Sequence, residues 1–322
     1  MRSSAISVRG LRKAYGDHVV LDGVDFAVAT GSVFSLLGPA GAGKTTTHDV
    51  LTTLTKADAG TVRIAGHDVA TETRRVRAAI GVSGRTAAVD GLLSGRENLR
   101  LMADLRRVRS GGHPVARLLE RFDLVDAADE RASAYSAGMR RRLDLAMTLV
   151  GDPEVLFLDE PTSGLDPRSR RTVWGIVREL VCEGTTVFLT TRHLEEADQL
   201  ADQIAVLHRG RLAARGTPEE LRRRVPGTHV RFRFADLYEL DSAARVLAGA
   251  ARDDEELTLR VPGDGETRSL RALLDRLDVH SIDAQEFSVH RPGLDDVCLA
   301  LTGHPGDGHP GDGHPDEEAV VR

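Results

Sequence analysis

The 322-residue sequence is poor in cysteine and lysine and contains no long apolar run. Its two cysteines, Cys182 and Cys298, stand far apart in apolar stretches, which argues against a disulfide scaffold and predicts buried free thiols in a reducing compartment. No uninterrupted apolar stretch reaches the roughly 18 residues that a membrane-spanning helix needs. The opening MRSSAISVRG also lacks the apolar segment of a signal peptide. If the protein works at a membrane, we expect another polypeptide to supply the spanning helices.

Positive charge is carried almost entirely by arginine. The formal net charge is −6, and lysine occurs only at Lys13, Lys44 and Lys56. Nucleic-acid binders are usually basic overall or along one face, so we expect no nucleic-acid partner. Apolar content of 41% and charged content of 29% are ordinary for a soluble globular protein. The length favours two domains, or one large domain with an appendage.

The first part of the chain has the pattern of an α/β domain, which we place at residues 1–224. Short, near-continuous apolar runs predict strands covered on both faces of a largely parallel sheet. The clearest of these strands are residues 32–37, 155–158, 186–189 and 204–207. Between about residues 92 and 150 the pattern becomes helical, which predicts a helical subdomain inserted between two core strands.

A Val-Pro-Gly break at residues 225–227 predicts a second, small α/β domain at 225–302. Its predicted strands are 229–234, 257–261 and about 284–289, with helices at about 237–248, 267–277 and 294–301. The tail 303–322 repeats Gly-His-Pro-Gly-Asp, a composition that predicts disorder. Metal capture by His304, His309 and His314 is the alternative to a solvated tail without function, and the composition favours the tail.

The strongest motif follows the predicted strand at 32–37 and fits G-x-x-x-x-G-K-[ST] without a mismatch. It reads Gly38-Pro39-Ala40-Gly41-Ala42-Gly43-Lys44-Thr45, with Thr46 next in the helix that follows. Glycines let backbone N–H groups surround phosphate oxygens, and the helix N-terminus favours the anion. Lys44 is expected to reach the β- and γ-phosphates, and the Thr45 hydroxyl to ligate magnesium. The motif therefore predicts binding of ATP with Mg²⁺.

Two further segments fit nucleotide chemistry. The strand at 155–158 ends in Asp159-Glu160, where Asp159 is expected to support magnesium and Glu160 to accept a proton from the attacking water. Tyr135-Ser136-Ala137-Gly138-Met139 leads into a helix and offers a second anion-binding surface. Since one phosphate loop seldom needs a second γ-phosphate site on its own chain, we expect Ser136 and Gly138 to contact nucleotide held by a partner subunit.

With Ser163-Gly164-Leu165-Asp166, these segments follow the order and spacing of ABC transporter ATPase subunits, which the sequence resembles over roughly residues 5–304. Three more segments resemble the daunorubicin/doxorubicin-resistance type of exporter ATPase: SGRENLRLMADL, LTTRHLEEADQLAD and LDDVCLALTGH. The resemblance implies an ATP hydrolase that powers efflux of a hydrophobic antibiotic through a separate membrane permease. It also implies peripheral attachment at the cytoplasmic face of the cell membrane.

The same resemblance assigns further residues. Tyr15 matches the aromatic residue that stacks on adenine, with an ordinary strand tyrosine as its alternative. Asp166 matches the aspartate that communicates across a head-to-tail dimer. Because the chain carries one set of motifs, the resemblance implies pairing with a second nucleotide-binding subunit, a copy of itself or a relative.

Four positions depart from the family pattern: Arg85 replaces the usual glutamine, Ala137 the first signature glycine, Ala40 a common asparagine, and Arg192 the switch histidine, with His193 next to it. Arginine cannot ligate magnesium, although Arg192 can donate to a γ-phosphate. Together these four departures lead to the hypothesis that hydrolysis is slow or that the subunit works in an asymmetric pair.

Other functional classes remain open at this stage. A soluble ABC-type ATPase of translation or repair usually has two motif sets or a long insertion, and neither appears here. A small-molecule kinase leaves the YSAGM segment and Asp166 unexplained. A regulator that binds ATP without turnover stays consistent with the four departures.

Overall fold

The computed structural model describes residues 4–108, 113–224, 227–264, 266–290 and 293–302. The chain divides into two compact units, of which the smaller is Glu219–Ala300. The predicted boundary at residues 224 and 225 lies inside this smaller unit, because the short helix that precedes the Val-Pro-Gly break groups mainly with it. The predicted tail, 303–322, with His304, His309 and His314, lies outside the described residues.

The larger unit contains ten of the described strands and the helices between them. The strands are β1 (Ser4–Tyr15), β2 (His18–Ala29), β3 (Val33–Leu37), β4 (Ala59–Ile64), β5 (His67–Asp68), β6 (Ile80–Ser83), β7 (Val155–Asp159), β8 (Thr186–Thr191), β9 (Gln203–His208) and β10 (Arg211–Gly216). The helices are α1 (Lys44–Leu51), α2 (Thr73–Ala79), α3 (Gly95–Leu105), α4 (His113–Arg121), α5 (Ala137–Thr148), α6 (Pro167–Cys182), α7 (Leu194–Leu200) and α8 (Pro218–Arg222), the last crossing the unit boundary.

A six-stranded sheet in the order β10-β9-β3-β8-β7-β6 forms the centre of this unit. All its pairings are parallel except that of β10 with β9. Every residue of β3 and β7 is buried, as the near-continuous apolar runs predict for strands covered on both faces. The predicted α/β fold class is confirmed.

A second sheet in the larger unit is antiparallel, with the order β2-β1-β4-β5. The sequence analysis predicted the largely parallel central sheet but did not predict this antiparallel layer. The two long strands β1 and β2 form a hairpin that closes at the pair Tyr15 and His18. Strands β1 and β2, and β4 and β5, pair as hairpins, whereas β1 pairs with β4 across a long stretch of sequence; the apolar pattern of the central strands predicts neither kind of pairing.

Helices α3, α4 and α5 occupy the described chain between β6 and β7. Helix α3 begins with a capping box in which the Ser94 hydroxyl accepts from the Glu97 N–H and the Glu97 carboxylate accepts from the Ser94 N–H. Ser136 caps α5 by accepting from the Met139 N–H at 3.1 Å. Buried side chains including Leu99, Phe122 and Leu143 hold these helices together.

The smaller unit is an antiparallel sheet with its own apolar core. Its strands are β11 (His229–Arg233), β12 (Ala251–Asp253), β13 (Thr258–Pro262) and β14 (Glu286–His290), in the order β12-β13-β11-β14. Its helices are α9 (Leu237–Val246), α10 (Thr267–Val279) and α11 (Leu294–Thr302). Strand β12 was not predicted, because its three residues ARD carry no apolar pattern. Phe232, Leu240 and Leu277 belong to the core between sheet and helices.

The two cysteines differ in exposure. Cys298 is buried as predicted, but Cys182 is exposed, so the prediction is wrong for Cys182. Cys182 is the last residue of α6 and lies off the buried stripe that ends at Leu180. None of the helices in the described ranges is long and apolar enough to cross a membrane.

Candidate functional site

The phosphate-loop motif lies between the buried strand β3 and helix α1. Gly43, at the N-cap of α1, has φ +105°, a left-handed conformation that side chains rarely adopt. A Cβ on Gly43 would come within 2.7 Å of Leu21 Cδ2, and one on Gly38 within 2.3 Å of the Leu207 carbonyl oxygen. Both positions therefore need glycine, which fixes the loop directly before the helix N-terminus.

Lys44 is buried at the floor of this loop. Its ammonium group donates to the carbonyl oxygens of Gly38 at 2.6 Å and Pro39 at 2.9 Å. Burial lowers the pKa of Lys44, and the nearby Glu160 carboxylate opposes that shift. The loop carbonyls and the Glu160 carboxylate thus stabilise the buried positive charge of Lys44, and an anionic ligand would stabilise it further.

Two carboxylates lie at the end of β7, which is separated from β3 only by β8. Asp159 is buried and accepts a hydrogen bond from the Thr190 hydroxyl on β8. Glu160 is 5% exposed and has φ +46°, a left-handed conformation that costs a non-glycine residue about 1–3 kcal/mol. Its N–H donates to the Thr190 carbonyl at 2.9 Å, so the backbone holds the residue in that conformation.

Two arginines flank the Glu160 carboxylate. Arg85 Nη2 donates to Glu160 Oε1 at 2.8 Å, and Arg192 Nε lies 3.8 Å from Glu160 Oε2. The two arginines that the sequence analysis expected at the glutamine and histidine positions therefore meet at the same carboxylate. The Arg85 side chain remains 57% exposed, so its charge also faces solvent.

A cavity of about 490 Å³ joins these groups. Predicted residues that line it are Ala40, Gly41, Gly43, Lys44, Thr45, Thr46, Arg85, Glu160 and Arg192. The lining also includes His18, Val20 and Ser163, which sequence reasoning did not assign. Three cationic side chains and one carboxylate face this space, an arrangement suited to a polyanionic ligand.

Other predicted residues lie outside that lining. Gly38, Pro39 and Ala42 belong to the same loop but not to the lining, and Asp159, the last residue of β7, directly precedes Glu160. The Tyr15 ring is 51% exposed, with Lys13 Nζ 5.2 Å from its centroid, and its cross-strand partner is the cavity residue His18. His193 follows Arg192 and donates its N–H to the Thr191 hydroxyl at 3.0 Å.

Ser136, Gly138 and Asp166 lie together at the starts of α5 and α6, where Ser136 and Asp166 are exposed and Gly138 is buried; we call this region the signature surface. Asp166 caps α6 by accepting from the N–H groups of Arg168 and Ser169 and from the Ser169 hydroxyl at 2.6 Å. These hydrogen bonds hold the pKa of the Asp166 carboxyl below its ordinary value. A Cβ on Gly138 would lie 2.6 Å from Ser169 Oγ, so the starts of α5 and α6 are in contact. Ser136 is exposed there, whereas none of the three lines the phosphate cavity.

Comparison with known proteins identifies the family. The ABC transporter family profile matches residues 21–163. A daunorubicin resistance ATP-binding protein of Streptomyces coeruleorubidus is 46% identical over 94% of this chain and 97% of its own length. The chain belongs to the ABC transporter ATP-binding subunits. A daunorubicin/doxorubicin resistance ATP-binding protein of Streptomyces peucetius is 44% identical over 98% of both chains.

Solved structures agree with this assignment of the ABC subunit. The structure of an ATP-binding subunit of an ABC transporter matches with a TM-score of 0.62 and 28% identity, covering 69% of this chain and 93% of that one. ATP and Mg²⁺ are general ligands of the family, and the chain is an ATP-hydrolysing enzyme of that type. Family members of exporters dimerise and pair with a membrane permease.

The residues of this ABC subunit fit a magnesium nucleotide. Thr45 and Asp159 supply hydroxyl and carboxylate oxygens, the hard donors that Mg²⁺ prefers. A Cβ at Gly38 would meet the Leu207 backbone and one at Gly43 the Leu21 side chain, so the loop packs closely at both glycines, and a loop of this kind presents backbone N–H groups to phosphate. Among the described residues no cluster of three or more His, Cys, Asp or Glu forms a separate metal site.

Proposed function

We propose that this subunit binds Mg-ATP in the 490 Å³ cavity and hydrolyses it to power export by a separate membrane permease. The observation that carries the proposal is the meeting of Lys44, Glu160 and the phosphate loop in one cavity, while the signature surface lies outside it. A complete site would then need the signature surface of a second subunit. The full-length similarity to resistance ATP-binding proteins supports the same conclusion.

Each side chain has a definite role in this proposal. Lys44 binds the β- and γ-phosphates, replacing its present bonds to loop carbonyls with bonds to phosphate. Glu160 orients the attacking water and accepts its proton. Thr45 and Asp159 hold Mg²⁺, which when bound neutralises charge on the phosphates. Tyr15 stacks on adenine, and Arg192 donates to the γ-phosphate with His193 beside it.

Ser136 and Gly138 contact the nucleotide of the opposite subunit, and Asp166 communicates between the two sites. The N-terminus of α5, where Ser136 is exposed, provides a favourable helix dipole for that contact. Two identical chains related by a two-fold axis satisfy both sites at once, so a homodimer is the simplest assembly. A relative in place of the second copy gives the asymmetric pair.

The permease is expected to dock beside the loop after β6 and on the helical insert. Leu92, Leu101 and Leu105 expose apolar side chains there, and none belongs to the apolar core. The protein would then lie peripherally on the cytoplasmic face of the membrane. The similarity to daunorubicin and doxorubicin resistance ATP-binding proteins supports a hydrophobic, aromatic antibiotic as cargo.

Trapping the ATP-bound dimer tests the proposal. Glu160→Gln removes the proton acceptor and should accumulate a dimer with Mg-ATP in sedimentation velocity, whereas Lys44→Ala should remain a monomer. Ser136→Ala in the Glu160→Gln chain should weaken the dimer, and Ser133→Ala, another exposed serine of the same segment, should not. Thermal unfolding of each variant corrects for the lost α5 cap, worth about 1 kcal/mol. A chain that stays monomeric with ATP and retrieves no companion subunit contradicts the motor function.

A second function, a slow or regulatory ATP-binding protein, is favoured by one contact. Arg85 pairs with the proposed proton acceptor at 2.8 Å. This alternative would be supported over the motor if the chain binds ATP at equilibrium but shows no ATP hydrolysis that Glu160→Gln abolishes.

A further inference from the structure

A buried arginine on α5 holds both loops that carry Arg85 and Glu160. Arg141 is 6% exposed, and its Nε donates to the Pro161 carbonyl at 2.7 Å. Its Nη1 donates to the Gly84 carbonyl at 2.8 Å. Pro161 directly follows Glu160, and Gly84 directly precedes Arg85. One guanidinium group thus fixes the backbone beside each partner of the Arg85–Glu160 ion pair.

Asp144, one turn further along α5, completes this link. It lies 3.3 Å from Arg141 Nη1 and accepts from the Ser83 hydroxyl at 2.5 Å and from the Ala88 N–H at 2.8 Å. The loop that contains Arg85 is therefore bound to α5 at Ser83, Gly84 and Ala88. We call Arg141 and Asp144 the α5 link.

Stability alone does not account for such a pair. Burial lowers the pKa of Arg141 and raises that of Asp144, so desolvation opposes both charges. Replacing a buried ion pair by apolar side chains of similar volume is often neutral or stabilising. Arg141 also leaves Nη2 buried without a hydrogen-bond partner among the described residues. The planar guanidinium of Arg141 instead fixes the relative positions of two separate segments, because it donates to the carbonyls of Pro161 and Gly84 at once.

Helix α5 connects this link to the signature surface. Its N-cap is Ser136, and Arg141 lies in its second turn, so a displacement of the N-terminus moves Arg141 with it. The geometry points to Arg141 as a positioning residue that transmits docking of nucleotide at the signature surface to Arg85 and Glu160 of the same chain. The inference rests on the proposed dimer and adds a route by which each site senses occupancy of the other.

The chain contains its own reporter for this motion. Trp174 is the single tryptophan, and its Nε1 donates to buried Glu196 at 3.4 Å. The Thr162 hydroxyl donates to the same Glu196 oxygen at 2.8 Å, and Thr162 directly follows the Pro161 that Arg141 binds. Tryptophan emission therefore follows rearrangement of the loop after Glu160.

The test compares Arg141→Lys with Arg142→Lys. Arg142 is the adjacent arginine of α5, but it donates to Phe122 and Asp123 of the helical insert. In the Glu160→Gln background, Mg-ATP should change Trp174 emission, Arg141→Lys should abolish that change, and Arg142→Lys should keep it. With Glu160 restored, Arg141→Lys should lower kcat about tenfold while the ATP dissociation constant of the monomer stays within about twofold, because positioning rather than binding is lost.

The outcomes separate this inference from the proposed function. If ATP changes the emission of the Glu160→Gln dimer equally in both lysine variants, the proposed role of the α5 link is wrong. The motor function is then unaffected. Absence of an ATP-induced dimer, with no companion subunit retrieved, overturns the motor and the inference with it. If thermal unfolding shows that Arg141→Lys is not folded, Ser83→Ala serves as the second variant. It removes one hydrogen bond of the α5 link and should partially reduce both the emission change and kcat. An unaltered response in Ser83→Ala then overturns the inference.

Discussion

Replacing Arg85 by glutamine, the residue that the family resemblance leads us to expect at this position, should increase turnover. In the structure the Arg85 guanidinium lies 2.8 Å from the carboxylate that we propose as proton acceptor. That carboxylate is buried, but the arginine side chain is 57% exposed, so water screens much of the attraction. An ion pair of this kind stabilises its partners by about 1 kcal/mol or less.

The size of the expected effect follows from that energy. If the carboxylate must leave Arg85 to orient water, removing the pair lowers the barrier by up to about 1 kcal/mol, which corresponds to roughly a fivefold rise in kcat. Arg192, at 3.8 Å, remains beside Glu160 and limits the gain. Loss of one cation from the cavity lining should raise KM for ATP modestly.

Steady-state ATPase measurements at saturating Mg-ATP decide the question. The matched control is Arg75→Gln, which removes an equally short pair with Glu72 outside the cavity and should leave both constants unchanged. A fall in kcat for Arg85→Gln, with ATP affinity retained, would refute the reasoning and assign Arg85 a direct part in the reaction.

Three further predictions concern buried residues, two in the phosphate loop and one outside it. Gly43→Ala forces a Cβ to within 2.7 Å of Leu21 at φ +105°. We expect the free energy of unfolding, measured by thermal unfolding, to fall by about 1–3 kcal/mol and ATP binding to be lost. Because burial lowers the pKa of Lys44 below 10.5, ATP affinity should fall with rising pH as the free protein loses that proton, measured by equilibrium titration. Burial raises the pKa of Glu196 above its ordinary 4.5, so its contribution to stability is lost as pH rises through the folded value. Glu196→Gln should therefore flatten the pH dependence of unfolding and stabilise the chain near neutrality.

Much of the larger unit was predictable because its signals are local. The phosphate loop, the strand before it and the carboxylates after β7 each occupy one short segment, and parallel strands bring such segments to one sheet edge. Arg85 was assigned to the site from the family resemblance, as the residue in place of the usual glutamine. The exporter type also follows from short segments, and relatives at 44–46% identity confirm it.

What the sequence did not predict depends on tertiary pairing. The antiparallel sheet of β1, β2, β4 and β5 joins strands whose partners are set by hairpins and long-range register. The contact of Arg85 with Glu160 requires β6 to lie beside β7. Arg141 and Asp144 look like ordinary charged residues in an arginine-rich helix, and only burial distinguishes them from Arg142.

The contact between Gly138 and Ser169 has a consequence for how a partner is chosen. A side chain at position 138 leaves no room for the Ser169 hydroxyl, and without that hydroxyl Asp166 loses one of its three donors. A substitution at position 138 or 169 therefore restricts which residues the other position can hold. A partner subunit that docks here must fit the starts of α5 and α6 together.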